Sequence, residues 1–363
     1  MTFASDNWSL CAPEIADALV RAFQSETGAP AHFPAPAHFP AYGDDPLSAR
    51  ARARFCEIFE RDVTVFFVAT GGAANGLALS VLTPPYGAIV CHEAAHIVLD
   101  EGGGPEFFTG GAKLITIPGA DGKLTPKAIA TRIDQLPNHP PHSQPVTTLC
   151  LTQATELGTV YAPEELTALC TFAKNRGMNV HMDGARFANA VASLGVSPAD
   201  LTWRAGVDAL SFGATKNGCP LAEAVVFFNK AQAEEFPFYQ KRAGHLLSKS
   251  ALISAQFDTY LADGLWLKLA TQANAAARQI SEGLAGIGGC KICSPTQANE
   301  VFVSFPDGVA EALLESEFIF FPWHTPGAPS CKRMHRLVTS FQTSKAEIDA
   351  FLSKANRFIN EKS

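Results

Sequence analysis

The sequence predicts an α/β fold built on a mostly parallel sheet. Between about residue 60 and residue 230, short apolar runs typical of buried strands alternate with helical patterns. Strands separated by helices indicate βαβ units, in which neighbouring strands run parallel. The chain has 363 residues, of which 47% are hydrophobic and 17% charged, so it can bury a large core. Its length favours two domains.

The predicted strands and helices follow in order along the chain. Residues 62–69 (DVTVFFVA) form the first strand, and a helix over residues 72–82 follows it. Further strands are predicted at residues 88–91, 113–118, 146–152, 178–182 and 208–212. A helix is predicted over residues 163–176, because Pro163 fits a first helical turn. Such sheets bind ligands at the carboxyl ends of their strands, so functional residues are expected just after these runs.

After about residue 245 the pattern changes. Long helices are predicted over residues 248–261 and 265–284, followed by strands at 300–305, 318–321 and 337–341 and a last helix from Ser344. We therefore predict a large domain over residues 1–245 and a small α+β domain over residues 246–363. The large domain includes an N-terminal arm and a proline-rich loop at residues 31–42.

The charge and the start of the chain exclude some classes of protein. A net charge of −7 and a pI of about 5.8 argue against a nucleic acid or an anionic membrane as the main partner. No apolar run approaches the roughly 18 residues of a membrane helix. The first ten residues lack the basic and apolar segments of a secretory signal. We expect a cytoplasmic protein.

Nine cysteines are scattered along the chain, an odd number without the spacing of a disulfide framework. Most are expected to be buried thiols that pack as small hydrophobic side chains. Cys290 and Cys293 form a CxxC pair, for which a redox role is the weaker alternative. No second pair accompanies it, which argues against a zinc ribbon.

Residues 70–75 (TGGAAN) lie between a predicted strand and a predicted helix. Small residues let the backbone approach a ligand, and the helix start presents free N–H groups to an anion, most naturally a phosphate. The segment lacks both the Lys-Ser/Thr of a Walker loop and the spacing of GxGxxG. By itself it also fits a simple tight turn.

Residues 181–186 (HMDGAR) place Asp183 at the end of a strand. An ionised aspartate there can hold a cation such as the protonated pyridine nitrogen of pyridoxal 5'-phosphate (PLP), and this ion pair keeps the ring electron-poor. The alternative is an aspartate that caps the helix starting near Ala185.

Residues 211–218 (SFGATKNG) place Lys216 among small residues directly after a buried strand. Burial favours the neutral, nucleophilic form of an amine, which a Schiff base requires. A lysine on an ordinary turn is the alternative. The ordered set of a glycine turn, a strand-end aspartate and a lysine after a strand favours a PLP site more than any member alone.

Residues 92–96 (HEAAH) spell HExxH, the signature of zinc peptidases. That chemistry requires His92 and His96 on one long helix, with a third ligand further along. The glycines at residues 102–104 predict a helix that ends early, and no extended zincin pattern follows. A chance match is favoured, and a metallopeptidase is the alternative from a different class.

At these segments the chain resembles the threonine aldolases, a PLP-dependent family of the aspartate-aminotransferase fold type (fold type I). The resemblance extends nearly from end to end, and HMDGAR is its most specific piece. The other motifs that carry it are residues 4–7 (ASDN), 42–46 (YGDDP), 93–96 (EAAH) with 101–103 (EGG), and 336–339 (RLVT).

The resemblance implies a role for each matched residue. Lys216 corresponds to the Schiff-base lysine, Asp183 to the partner of the pyridine nitrogen, and His96 to the histidine that stacks on the ring. The turn that binds the cofactor phosphate is matched by Thr70, Gly71 and Gly72. The positions associated with the substrate carboxylate are matched by Ser5, Arg186 and Arg336, of which Arg186 is also counted among the cofactor contacts. Arginine can bind a carboxylate through two parallel hydrogen bonds.

Three segments depart from the family pattern. The lysine segment resembles one bacterial branch rather than the common Ser-Lys-Gly-Leu form. Glu156 stands where some members carry a histidine near the substrate hydroxyl. Residues 239–249 lack the arginine that other members have near the phosphate, and Lys249 is the expected substitute. The base for the substrate hydroxyl is left open between His96, Glu156 and a water held by them.

The resemblance implies an enzyme that cleaves a β-hydroxy-α-amino acid, such as threonine, allo-threonine or phenylserine, to glycine and an aldehyde. β-Elimination and transamination are the alternatives within PLP chemistry, since they use the same lysine and aspartate. A non-catalytic binding protein on this fold is a further alternative. By analogy with the fold type we expect a homodimer or homotetramer, and we expect no metal in the site.

Overall fold

A seven-stranded sheet forms the centre of the larger part of the protein. The computed structural model describes residues 1–23, 40–324, 326, 331 and 333–362, so residues 31–39 of the predicted proline-rich loop lie outside the described residues. In chain order the strands are β1 (Thr64–Val68), β2 (Ala88–His92), β3 (Lys113–Ile117), β4 (Val146–Thr152), β5 (Asn179–Gly184), β6 (Ala209–Gly213) and β7 (Glu223–Phe227). Their spatial order is β1-β7-β6-β5-β4-β2-β3. β7 runs antiparallel to both neighbours and all other pairs are parallel, which confirms the predicted fold class.

β7 is the strand of this sheet that the sequence analysis missed. Its five residues, EAVVF, form a short apolar run that periodicity alone cannot distinguish from a buried helix segment. In the sheet, β7 pairs along its whole length with β1 on one side and β6 on the other. All five residues are buried, so the acid at its first position, Glu223, lies inside the protein.

Helices cover both faces of this sheet. Side chains of successive strand residues point to opposite faces, so they are buried in two different cores. The helices of this part are α1 (Pro13–Phe23), α2 (Pro46–Ile58), α3 (Gly71–Leu82), α4 (His96–Leu99), α5 (Gly104–Thr109), α6 (Pro126–Asp134), α7 (Pro163–Lys174), α8 (Phe187–Leu194), α9 (Lys230–Ala233), α10 (Phe236–Arg242) and α11 (Ala251–Tyr260). Phe67 and Leu210 join the large core that also contains residues of α2, α7 and α11. Val225 and Ala209 join a core with residues of α3 and α10 on the other face.

A second, antiparallel sheet of four strands follows, with the spatial order β10-β11-β9-β8. The strands of this sheet and the helices around it are α12 (Leu265–Ala285), β8 (Lys291–Ile292), β9 (Glu300–Ser304), α13 (Val309–Glu315), β10 (Phe321–Pro322), β11 (Met334–Val338) and α14 (Lys345–Lys362). β11 lies earlier than the strand predicted at residues 337–341. Ser340 and Thr343 form a turn through two hydrogen bonds, and this turn ends the extended segment.

The N-terminal residues belong to the core of this second sheet. Phe3 is fully buried among residues of α12, β9 and α14. Its N–H donates to the Ile319 carbonyl, and its carbonyl accepts from the Val338 N–H. The chain therefore starts in the smaller part and then enters the larger one, while α11 packs in the larger core. The domain boundary near residue 245 stays a prediction.

The structure pairs Cys293 with Cys331 in a disulfide and leaves the other cysteines unbonded. The redox role that was the weaker alternative for the CxxC is not supported, because Cys290 is not the partner of Cys293. Spacing along the chain did not reveal this pair, since the two residues are 38 apart and meet through folding. Across the helices that the structure describes, none is long and apolar enough to cross a membrane.

Candidate active site

A cavity of about 360 Å³ opens at the carboxyl ends of β1, β4, β5 and β6. Parallel strands bring the residues that follow them to one edge of the sheet, which explains why segments distant in sequence meet there. The predicted site residues that line the cavity are Thr70, Gly71, Gly72, His96, Glu156, Asp183, Arg186 and Lys216.

The glycine turn after β1 forms the start of α3. Thr70 is the N-cap, and its Oγ1 accepts a hydrogen bond of 3.2 Å from the Ala73 N–H. The first N–H groups of a helix have no acceptor within it, so this turn presents donors to the cavity. A Cβ added at Gly71 would lie 3.7 Å from Glu223 Oε2, and one added at Gly72 would lie 3.7 Å from Glu101 Oε2, so two carboxyl groups border the turn. The free N–H groups of the turn can hold an anion.

Asp183 ends β5 and is 3% exposed. Its Oδ2 accepts a 2.8 Å hydrogen bond from Asn75 Nδ2, and its Oδ1 accepts a 2.9 Å hydrogen bond from the Ala185 N–H. The aspartate is thus both a local cap and a buried acceptor aimed at the cavity. Two donors hold its carboxylate in one orientation.

His181, two residues earlier, lies beneath this aspartate and is neutral. Its Nε2 is 3.0 Å from Ser211 Oγ and its Nδ1 is 3.2 Å from Cys150 Sγ. Burial lowers the pKa of His181 to about 4. The imidazole therefore supports Ser211, which lines the cavity, without adding a charge there.

Lys216 lies in a short turn after β6. Asn217 anchors this turn by donating to the Tyr260 hydroxyl at 2.6 Å and to the Trp266 carbonyl at 2.9 Å. A Cβ at Gly213 would lie only 2.7 Å from the Ala185 carbonyl oxygen, so a glycine is needed where β6 ends against the Asp183 segment. No acid forms an ion pair with Lys216 within the described part of the chain, which leaves its amine available to a ligand.

His96 starts α4 and belongs to a chain of hydrogen bonds that reaches Asp183. Its Nδ1 is 2.9 Å from Glu101 Oε1, and the same oxygen accepts from Asn75 Nδ2 at 2.8 Å. Asn75 also donates to Asp183, so it links the two acids. The hydrogen bond to Glu101 raises the pKa of His96, and burial raises the pKa of Glu101. Either His96 or Glu101 can therefore carry the proton of their hydrogen bond.

The two histidines of HExxH do not share a helix. His92 ends β2, and its Nδ1 accepts from the Ala94 N–H at 3.0 Å while its Nε2 donates to the Gly119 carbonyl at 3.0 Å. His96 starts a separate helix of four residues. Both His92 nitrogens are occupied by main-chain groups, so the metallopeptidase alternative is wrong in its structural premise. Among the residues described, no cluster of three or more His, Cys, Asp or Glu is arranged for a metal.

Glu156 follows β4 and faces the cavity. Its Oε1 accepts two hydrogen bonds of 2.9 Å, one from the His96 N–H and one from Thr152 Oγ1. Its Oε2 is buried and has no hydrogen-bond partner among the residues that the structure describes. Burial raises the pKa of Glu156 to about 7, and the charge of Asp183 adds to the effect. The group can therefore gain or lose a proton near neutral pH.

Arg186 is held by two acids from distant parts of the chain. Its Nε and Nη2 donate to Asp6 at 2.7 and 3.0 Å, and its Nη1 lies 3.4 Å from Glu300 Oε2. Arg336 reaches the other oxygen of Glu300, also at 3.4 Å. Burial would raise the pKa of Asp6, but the charges of Arg186 and Lys216 and the hydrogen bonds from Arg186 and Asn299 together outweigh burial and lower that pKa to about 2. A guanidinium has five N–H groups, so one on each Nη of Arg186 stays available for a carboxylate.

The remaining predicted residues lie outside the cavity lining. Arg336 stacks on the Trp323 ring at 3.7 Å. Ser5 caps the N-terminal turn, where its Oγ accepts from the N–H of Asn7, and Asn7 itself lines the cavity. Lys249 is exposed and does not contact the cavity of its own chain. The roles of Ser5, Arg336 and Lys249 stay predictions.

Sequence reasoning gave no role to several residues that complete the site. Asn75 and Glu101 belong to matched motifs, but only the fold shows that they connect His96 to Asp183. Glu223 carried a signal that was overlooked, because a single acid at the start of the apolar run 224–228 is unusual. The residues missed in this way are Asp6, Asn75, Glu101, Glu223 and Glu300.

Comparisons with known proteins give a consistent picture. The sequence model of the beta-eliminating lyase family matches residues 31–307. The chain is 42% identical over 347 residues to the low specificity L-threonine aldolase of Pseudomonas sp. (strain NCIMB 10558), covering 95% of this chain and 94% of that protein. The Leishmania major threonine aldolase structure is similar with a TM-score of 0.88 and 26% identity over 99% of both chains. A structure of SPT with PLP shares the fold, with a TM-score of 0.70 and 16% identity over 99% of this chain and 87% of that one.

Proposed function

This chain belongs to the beta-eliminating lyase family and, within it, to the low-specificity L-threonine aldolases, and from this premise we propose how its cavity cleaves β-hydroxy-α-amino acids to glycine and an aldehyde with PLP as cofactor. The observation that carries the proposal is the meeting of Lys216, Asp183 and the start of α3 in one cavity. Each of these groups suits a different part of PLP. β-Elimination and transamination remain the alternatives that product analysis separates.

The residues of the cavity fit PLP. The turn at Thr70, Gly71 and Gly72 would hold the phosphate, Asp183 the pyridine nitrogen and Lys216 the aldehyde carbon. Two residues of the cavity wall, Asn75 and Glu156, also carry a buried oxygen without a hydrogen-bond partner among the described residues. Bound there, PLP supplies an acceptor for the electrons of the bond that breaks at Cα.

The substrate carboxylate is assigned to Arg186. Asp6 accepts from the Nε–Nη2 edge of the guanidinium and Glu300 lies beside Nη1, so the plane is fixed while one N–H on each Nη stays available for the substrate. Arg336 and Ser5 are proposed to assist, because Arg336 shares Glu300 with Arg186 and Ser5 caps the turn that carries Asp6. Such a clamp orients the Cα–Cβ bond for cleavage, and orientation alone can lower a barrier by several kcal/mol.

Glu156 is proposed as the base for the substrate hydroxyl. Two donors lock its Oε1, while its unpartnered Oε2 is free to take a proton. The hydroxyl proton moves to Oε2, the Cα–Cβ bond breaks, and the oxygen becomes the aldehyde carbonyl. A proton added at Cα completes glycine. His96 is assigned to the ring face, with its Nδ1 hydrogen-bonded to Glu101.

The test begins with the absorption spectrum of the full chain supplied with PLP. Wild type is expected to show a band in the visible region that borohydride abolishes, and Lys216→Ala is expected to lack it. L-Threonine is then expected to yield glycine and acetaldehyde in equal amounts. A keto acid in place of the aldehyde would identify elimination or transamination, and a colourless wild type would refute the cofactor assignment.

The remaining expectations need their own measurements. The homodimer or homotetramer expected from the fold type is tested by analytical ultracentrifugation. The cytoplasmic location stays a prediction that fractionation tests. Lys249→Ala, measured in the assembled protein, shows whether this lysine contributes to phosphate binding.

A further inference from the structure

Glu223 is a buried acid at the phosphate end of the cavity that the proposed mechanism does not use. It starts β7, is 6% exposed and lines the cavity. Its Oε1 accepts a 3.3 Å hydrogen bond from the Thr215 N–H. Its Oε2 points to the turn that starts α3, 3.7 Å from the position that a Cβ on Gly71 would take. Throughout the described ranges, no lysine or arginine forms an ion pair with this carboxyl.

We propose that Glu223 is a phosphate-binding residue that carries its own proton and donates a hydrogen bond from Oε2 to the cofactor phosphate. The inference rests on the proposed PLP cofactor. Because Oε1 accepts from Thr215, the proton is placed on Oε2, the oxygen that faces the turn. An ionised Glu223 would instead repel the phosphate within the same small cradle.

The surroundings of Glu223 make the protonated form accessible. Burial raises the pKa of Glu223 to about 7. Lys216 favours the ionised carboxylate and Asp183 opposes it. Two further titratable groups, Cys219 and Tyr260, interact with Glu223. Burial raises the pKa of each well above its usual range, so neither is charged near neutral pH.

Binding of the phosphate then brings a proton onto Glu223. Affinity for PLP is expected to fall as the pH rises above 7, because more of the free protein must first take up that proton. The limit is about tenfold in dissociation constant per pH unit. The window from pH 7 to 8.5 lies above the phosphate's own second ionisation near 6. The phosphate charge is therefore constant across it.

The experiment titrates the full-chain apoprotein with PLP and with pyridoxal between pH 7 and 8.5, following tryptophan fluorescence. Pyridoxal lacks the phosphate. The ratio of the PLP and pyridoxal dissociation constants therefore cancels the pH dependence of the binding steps that both ligands share. Relative to pyridoxal, PLP binding by wild type is expected to weaken severalfold to tenfold per pH unit. Glu223→Gln keeps an acceptor for Thr215 and a donor for the phosphate, so it is expected to bind PLP as tightly as wild type at pH 7 and without this slope.

Glu156→Gln is the matched control, since Glu156 is a buried acid of the same cavity with a similar pKa but lies on the β4 side. It is expected to keep the wild-type slope. The proposal is overturned if PLP binding by wild type shows no slope relative to pyridoxal, or if Glu223→Gln keeps the slope. It is also overturned if Glu101→Gln alone removes the slope, because Glu101 is the other acid beside the turn. Wild type that binds no PLP at all would instead refute the proposed function.

Discussion

Replacing Glu156 by glutamine tests the assignment of the base most directly. Glutamine has the same shape, and its Oε1 can still accept from the His96 N–H and the Thr152 hydroxyl. The fold around the cavity should therefore persist, while the group at Oε2 can no longer take a proton. Loss of a general base lowers kcat by about 10²- to 10⁴-fold. This corresponds to about 3–5 kcal/mol of the barrier.

The pH dependence provides a second, independent signature of the same residue. Glu156 must be ionised to act, and burial raises its pKa to about 7. With PLP saturating, wild-type kcat/KM for L-threonine is expected to rise about tenfold from pH 6 to pH 8, as the ionised fraction rises. In Glu156→Gln this rise should be absent.

The assay couples acetaldehyde release to an alcohol dehydrogenase and follows NADH at 340 nm. Glu164→Gln is the control, because Glu164 is an exposed glutamate on the first turn of α7 and should behave as wild type. If Glu156→Gln keeps kcat within about threefold of wild type and retains the rise with pH, Glu156 is not the base. His96 or a water would then take that role.

Three further predictions follow from buried groups elsewhere. Asp6→Asn removes one partner of a buried ion pair and is expected to lower the free energy of unfolding by about 3 kcal/mol in urea titrations. Folding lowers the pKa of Asp6 from 3.8 to about 2, so its stabilising effect is present above pH 4 and is lost as the pH falls towards 2. The Asp6→Asn variant should lack this acid sensitivity. Gly213→Ala forces a Cβ to within 2.8 Å of two backbone atoms of Ala185, so the free energy of unfolding is expected to fall by about 1–3 kcal/mol and PLP binding to weaken. Gly288→Ala is the control and should be neutral, because the space around Gly288 is open. Thiol titration of the unfolded, unreduced chain should count the seven free cysteines, and a count of nine would show that the Cys293–Cys331 bond does not form in solution.

The parallel strands of the large sheet could be predicted because each is a short apolar run followed by a helix or a turn. Their carboxyl ends gather at one edge, so Thr70, Asp183 and Lys216 were expected to meet and do line one cavity. β7 could not be predicted in the same way, because five apolar residues have no distinctive period. The acid that β7 carries into the site, Glu223, was missed with it.

The HExxH pattern illustrates the limit of a local motif. Its spelling fits a zinc site, but the chemistry needs both histidines on one helix, and this requirement concerns backbone geometry rather than composition. In the fold a strand ends at His92 and a helix starts at His96. The cysteines show the same limit, since Cys293 and Cys331 are 38 positions apart and only the fold brings them together.

By itself the sequence determined the α/β class, the order of most strands and helices and the residues that face the strand ends, because hydrophobic periodicity and turn residues act over short distances. Only the tertiary structure decided how Asp6 and Glu300 hold Arg186, how Asn75 links Glu101 to Asp183, and which oxygens of Glu156 and Glu223 face the cavity. These features depend on contacts between residues up to 180 positions apart in the chain. Their protonation is set by burial, which no local pattern reports.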